Sequence, residues 1–173
     1  RGKTNAERVR WLLGDATVLR DHHATVDLAV MTGNVAQVFI SDNDWHETLS
    51  SIRSCLRPSG WLVFETRRPE ARAWEEWDLP PTEVTLPDGR SAIVSRSVTS
   101  VEFPLVSFEG WTEIDGETLW TGSTLRFRNQ EEIARDLARH GFEVVDVRDA
   151  PDRPGKELIF VTRVSVTPRP GDS

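Results

Sequence analysis

The chain has 173 residues, 38% hydrophobic and 28% charged, with a formal net charge of -7. That balance suits an ordinary globular domain with one full core and a modest appendage, and it argues against a large non-specific nucleic-acid surface. Cys55 is the only cysteine, so no intrachain disulfide can form, and no stretch is apolar enough to span a bilayer or serve as a signal. The expectation is a cytoplasmic chain without membrane or nucleic-acid partners.

After a polar start, Val9 to Leu13 (VRWLL) reads as a short buried strand ended by Gly14 and Asp15. Val26 to Met31 (VDLAVM) reads as the next strand. Its apolar run without alternation suits a strand covered on both faces, as in parallel sheets. A helix should begin at Ser41 to Asp44, an S-x-x-D cap, and carry Trp45, Leu49, Ile52 and Leu56 at helical spacing until Pro58 and Gly60 stop it. Cys55 falls on that helix's apolar side, where a packed thiol is expected rather than a nucleophile. WLVFE then supplies a second strand, completing a strand–helix–strand crossover that places ligands at the carboxyl ends of its strands.

Beyond Pro69 a short Trp-containing segment leads into β-prone runs interrupted by Asp88-Gly89 and Asp115-Gly116, each a hairpin signal. An antiparallel flap is therefore expected over about residues 79–128. Asn129 with Glu132 caps another helix, closed by Gly141, and two strands follow, Val144 to Arg148 and Leu158 to Val164, paired antiparallel. Residues 165–173 read as a disordered tail.

In this order (strand–GDA, strand–MTGN, helix–LRPSG–strand, inserted β segment, helix–GF–strand–hairpin) the chain resembles the carboxyl-terminal two-thirds of a class I S-adenosylmethionine-dependent methyltransferase. The resemblance covers roughly Val9 to Val164. It implies an α/β fold with a Rossmann-like, mostly parallel but partial sheet, an antiparallel last strand and an inserted antiparallel segment, all within one partial domain over residues 1–164. Enzymes of that family open with a glycine-rich loop, and no G-x-G occurs here. The resemblance therefore implies that the sequence starts just before the third strand. Part of the cofactor site would then come from a missing amino-terminal segment or a second polypeptide.

The resemblance implies S-adenosylmethionine as cofactor and a small-molecule acceptor as substrate. Asp15, with Ala16 beside it, matches the position that accepts a hydrogen bond from the adenine amino group. Met31, Thr32, Gly33 and Asn34 match the turn at the methionine end. Read without the resemblance, Asp15 is a strand-end turn residue and Asn34 a cap for Val35 to Phe39.

Three residues are candidates for catalysis or substrate contact. His46 lies one residue into the helix and can reach a substrate as base or hydrogen-bond partner, although a solvated helix histidine reads the same way. Glu65 and Arg67, with Arg68, follow the second strand. Either arginine can hold an acidic substrate by bidentate bonds while Glu65 orients it or accepts a proton, or all three form a surface charge cluster. His22 and His23 have no companions at ligand spacing, so no metal is expected. Trp74, Trp77, Trp111 and Trp120 fit flap packing better than an aromatic cage. The alternative function is a non-catalytic methyltransferase-like subunit or interaction module. A nucleotide-dependent oxidoreductase is disfavoured by the same absence of glycines.

Overall fold

The computed structural model describes residues 8–20 and 25–165. His22, His23 and residues 166–173 lie outside the described residues. A 3-10 turn at Ala16–Leu19 precedes β1 (Val26–Met31), a second 3-10 turn (Val35–Val38), α1 (Asp42–Cys55) and β2 (Leu56–Arg67). Two short 3-10 turns lead to β3 (Leu79–Thr85), β4 (Ser91–Glu102), β5 (Leu105–Ile114) and β6 (Glu117–Arg126). α2 (Gln130–Arg139), β7 (Phe142–Asp149) and β8 (Glu157–Val164) complete the order.

Local chemistry sets several boundaries. Ser41 Oγ accepts the Asp44 N–H at 3.1 Å to begin α1, and Asn129 Oδ1 accepts the Glu132 N–H at 2.8 Å to begin α2. Asp115 and Gly116 have φ of 53° and 81°, the pair of positive angles that a two-residue type I′ hairpin needs between β5 and β6. Pro58 and Gly60 do not stop α1 as expected. The helix ends at Cys55, and both residues lie inside β2, where the register with β1 shifts between Val26 and Leu28. Proline, lacking an N–H, is tolerated at such an irregularity.

The strands form two sheets, ordered β1-β2-β8-β7 and β3-β4-β5-β6. In the first sheet β1 and β2 pair parallel. Because β8 is antiparallel to both β2 and β7, three strands run one way and only the last, β8, runs against them. The expected mostly parallel sheet with an antiparallel last strand is met in strand direction, although two of its three pairings are antiparallel. A parallel neighbour requires a crossover, and β1–α1–β2 supplies the one crossover between adjacent strands among the described residues. The chain then detours through the second sheet and returns to the far edge, where the β7–β8 hairpin lays β8 against β2. Val9 to Leu13, by contrast, is not a strand. It joins neither sheet, and Trp11 and Leu13 are 84% and 102% exposed. An apolar run becomes a buried strand only where neighbouring strands receive its backbone groups.

The main core lies on one face of the first sheet. Trp45, Leu49 and Ile52 of α1 and Ile133 and Leu137 of α2 meet Leu62, Phe64 and Phe160, with the Phe64 and Phe160 rings stacked 5.1 Å apart. Side chains alternate along strands, so Leu28, Val30, Trp61 and Val63 point from the other face. Leu28 and Val30 are 53% and 54% exposed. A second cluster of Trp74, Val106, Leu125 and Phe127, with Trp77 and Phe108 against it, fastens the flap. Trp111 and Trp120 form a cross-strand pair away from that cluster, their ring centres 6.4 Å apart. Phe160→Ala is expected to cost about 3–5 kcal/mol in urea unfolding, whereas Trp120→Ala on the exposed flap strand should cost well below about 1 kcal/mol.

Candidate functional site

The carboxyl ends of β1 and β2 meet at a turn whose shape is set by two consecutive positive φ angles, 71° at Gly33 and 58° at Asn34. No atom lies within 4 Å of where a Cβ on Gly33 would stand, so backbone conformation alone calls for glycine there. Glu65 of β2 fixes the turn. Its Oε1 accepts the Gly33 N–H at 2.6 Å and the Asn34 N–H at 3.3 Å. Asn34 is buried, and its Nδ2 donates to Glu157 Oε1 at 2.9 Å, while Arg153 Nη1 donates to the same oxygen at 2.6 Å. Asn34 Oδ1 accepts no hydrogen bond from the described residues.

Gln37, fully buried in the 3-10 turn after β1, accepts a 2.8 Å hydrogen bond from Arg67 Nη1 through Oε1, and its Nε2 has no acceptor among the described residues. The Arg67 guanidinium lies 5.2 Å from the Trp77 ring centre. Burial lowers its pKa, against the opposing pull of Glu157 and Glu65 and with the repulsion of Arg153 and Arg96. Glu65 and Arg67 stand together at the carboxyl end of β2. Arg68 turns instead toward Asp149, 3.6 Å away.

Beside β1 is an apolar cavity of about 480 Å³. Asp15, Ala16 and Met31 line it together with Leu19, Ala29 and Phe39. Asp15 accepts the Thr17 N–H at 2.8 Å and the Thr17 hydroxyl at 2.6 Å, contacts that lower its carboxyl pKa, the hydroxyl most. Of the six residues matched to the cofactor, three line this cavity and Gly33 and Asn34 form the adjoining turn. Thr32 is exposed between them. Cys55 reaches the same cavity as a buried free thiol whose pKa is raised by burial. Among the described residues, no group of three or more His, Cys, Asp or Glu is arranged to hold a metal ion.

His46 is engaged elsewhere. Its Nδ1 lies 2.8 Å from His140 Nε2 of α2, and His140 Nδ1 lies 3.0 Å from Ser50 Oγ. The pair links the two helices rather than reaching the Gly33 turn. Gln37, Glu157 and Arg153 were not singled out from the sequence. Gln37 carried one signal, a lone amide within the apolar run VAQVF, but Glu157 lies 123 residues from Asn34 and carried none.

Two of these contacts are open to measurement. Glu65→Ala leaves the Gly33 and Asn34 N–H groups without their acceptor and should cost about 1–3 kcal/mol in urea unfolding. Burial and the neighbouring His46 lower the His140 pKa, with Asp136 opposing and Arg139 reinforcing. The unfolded chain therefore binds the proton more readily, at about pH 6.5. This contribution to stability is complete above that pH and is lost as pH falls through it toward the folded value. Urea midpoints measured from about pH 7.5 to 5 should decline more steeply in the wild type than in His140→Gln.

No protein-family model matches the sequence, and no curated protein matches it. Solved structures do match. The CcbJ methyltransferase of Streptomyces caelestis is similar to this chain at 17% identity and a TM-score of 0.72, over 94% of this chain and 66% of its own. An S-adenosylmethionine-dependent methyltransferase of Clostridium acetobutylicum gives 14% identity and a TM-score of 0.66, over 82% and 59%. Streptomyces venezuelae DesVI gives 14% and 0.61, over 79% and 58%. The chain thus spans less than two thirds of the length of these proteins. At such identities the likeness is one of backbone architecture: the described chain has the fold of the S-adenosylmethionine-dependent methyltransferases.

Proposed function

We propose that this chain takes part in methyl transfer from S-adenosylmethionine to a small-molecule acceptor. The observation that carries the reading is the meeting of Asp15, Ala16 and Met31 in one apolar cavity beside the turn that Glu65 clamps. Asp15 stands ready to accept a hydrogen bond from the adenine amino group, and the cavity's apolar walls shelter the base. Gly33 and Asn34 lie toward the methionine end, where the glycine leaves room for close approach.

When bound, the cofactor supplies a methyl group already activated on a sulfonium, so the chain's own work is alignment and exclusion of water. Glu65 contributes by holding the turn rather than by taking a proton, since one carboxylate oxygen is occupied by two N–H groups. The acceptor has space between the segment that precedes α1 and the flap, where Ile40, Phe108 and Thr124 line a hollow of about 410 Å³. His46 is not assigned a step, because its ring is committed to His140.

The proposal includes a contribution from polypeptide beyond the described strands, on this chain or another, to complete the cofactor site. Its support is β1, which has a partner on one side only among the described residues, and the exposed side chains of Leu28 and Val30. The same free edge favours the second reading, a non-catalytic methyltransferase-like module that uses this strand for association. The buried free thiol of Cys55 fits a reducing compartment, and we place the chain in the cytoplasm.

Calorimetric titration with S-adenosylhomocysteine separates the two readings. Saturable binding, weakened about tenfold or more in Asp15→Ala, is the result expected for a methyltransferase. Lack of binding by the chain, both alone and together with any polypeptide that associates with it, would leave the interaction module as the function.

A further inference from the structure

Arg67 leaves β2 two residues beyond Glu65 and on the same side of the strand, at the junction of the core sheet and the flap. Gln37 Oε1 holds the guanidinium from the core side at 2.8 Å, and the Trp77 ring covers it from the flap side. Neither contact neutralises it. Arg67 forms no ion pair among the described residues, whereas Arg68 and Arg153 have theirs with Asp149 and Glu157.

The charges around Arg67 do not balance. Glu65 and Glu157 attract it, and Arg96 and Arg153 repel it. Both carboxylates are already engaged, Glu65 by the Gly33 and Asn34 N–H groups and Glu157 by Arg153 and Asn34. One positive charge is left over. Arg153 and Arg96 reach solvent, but Arg67 is half-buried, which is unfavourable for a cation without a counter-ion. Beside it, the fully buried Gln37 amide has a donor to spare and the buried Asn34 an acceptor. Ordinary core packing does not leave these groups unmatched around a cation.

Resting on the methyl-transfer reading, we infer that the acceptor carries a carboxylate and that Arg67 binds it, with Gln37 orienting the guanidinium and Trp77 covering one of its faces. A single surplus charge matches a monoanion better than a phosphate dianion. A planar guanidinium also offers two parallel N–H groups to a planar carboxylate. Such a contact holds one end of the acceptor at the junction of the core sheet and the flap, where Gln37 and Trp77 keep the guanidinium.

The test is titration of the whole chain with benzoate and propionate, each against its neutral amide, in the wild type, Arg67→Lys and Arg67→Met. S-Adenosylhomocysteine is titrated in parallel to read the cofactor site separately. The wild type should bind at least one acid about tenfold tighter than its amide. Arg67→Met should abolish that ratio and Arg67→Lys should keep part of it, the lysine variant guarding against a folding defect in the other. Equal binding of acid and amide by the wild type, or an undiminished ratio in Arg67→Met, overturns the inference, as does phenyl phosphate binding more tightly than benzoate. If the ratio holds while S-adenosylhomocysteine fails to bind, both to the chain alone and together with any polypeptide that associates with it, the methyl-transfer reading falls and the carboxylate site stands. The opposite pattern removes the carboxylate site alone.

Discussion

One carboxylate oxygen ties the two parallel strands together at their carboxyl ends. Glu65 Oε1 accepts the N–H groups of Gly33 and Asn34, so the chain leaving β1 must turn through two positive φ angles before it can enter the 3-10 turn. A charged acceptor serving backbone donors is among the stronger hydrogen-bonding arrangements available to a protein. The turn's geometry in turn directs its neighbours. Asn34 points inward to Glu157, Gln37 is brought to Arg67, and Met31 is left on the wall of the apolar cavity.

The flap is held to this end by charge as well as by aromatic packing. Arg126, at the end of β6, donates to Ile40 O at 3.0 Å and pairs with Asp42 at 2.8 Å and Glu132 at 2.9 Å. Arg128 is buried over the Trp45 ring, 5.2 Å from its centre, and donates to Ser41 O. Burial, with Arg126 close by, lowers its pKa to about 10, and Glu132 and Asp42 oppose the fall. These two arginines join the first turn of α1 to the first turn of α2, so the flap cannot shift without disturbing both helix starts. Breaking such a network at one partner strands the remaining charge in a poorly solvated place, which makes it a rigid mount for the hollow between the flap and Ile40.

The first sheet is asymmetric. Both helices cover one face, and the other presents Leu28, Val30 and Trp61 beside an edge strand with one partner among the described residues. The cavity lined by Asp15 and Met31 opens on that same edge through Leu28 and Val30. The cavity is walled on one side by this chain's apolar residues and borders the edge of β1 that has no strand beside it among the described residues. The proposal that further polypeptide completes the site, and the rival proposal of an interaction module, both arise from this single physical fact.

Helix caps at Ser41 and Asn129 and the hairpin at Asp115-Gly116 were legible in the sequence, because each rests on bonds among residues within four positions of one another. Apolar runs at Val26 and Trp61 also read correctly as strands. The run at Val9 did not, since apolarity signals burial only when neighbouring strands are present to bury it. Of the site, Asp15, the Gly33 turn, Glu65 and Arg67 were visible as polar or permissive residues at strand ends, but their division of labour was not. Glu65 serves the turn and His46 serves His140 because of partners 32 and 94 residues away. Local periodicity and short-range hydrogen bonds encode where most strands, helices and turns lie, so those positions could be read from the amino acids in order. Three features needed the folded chain: β8 lies between β2 and β7, Asn34 meets Glu157, and Arg67 forms no ion pair among the described residues. Each depends on which distant backbone and side-chain groups arrive at the same place.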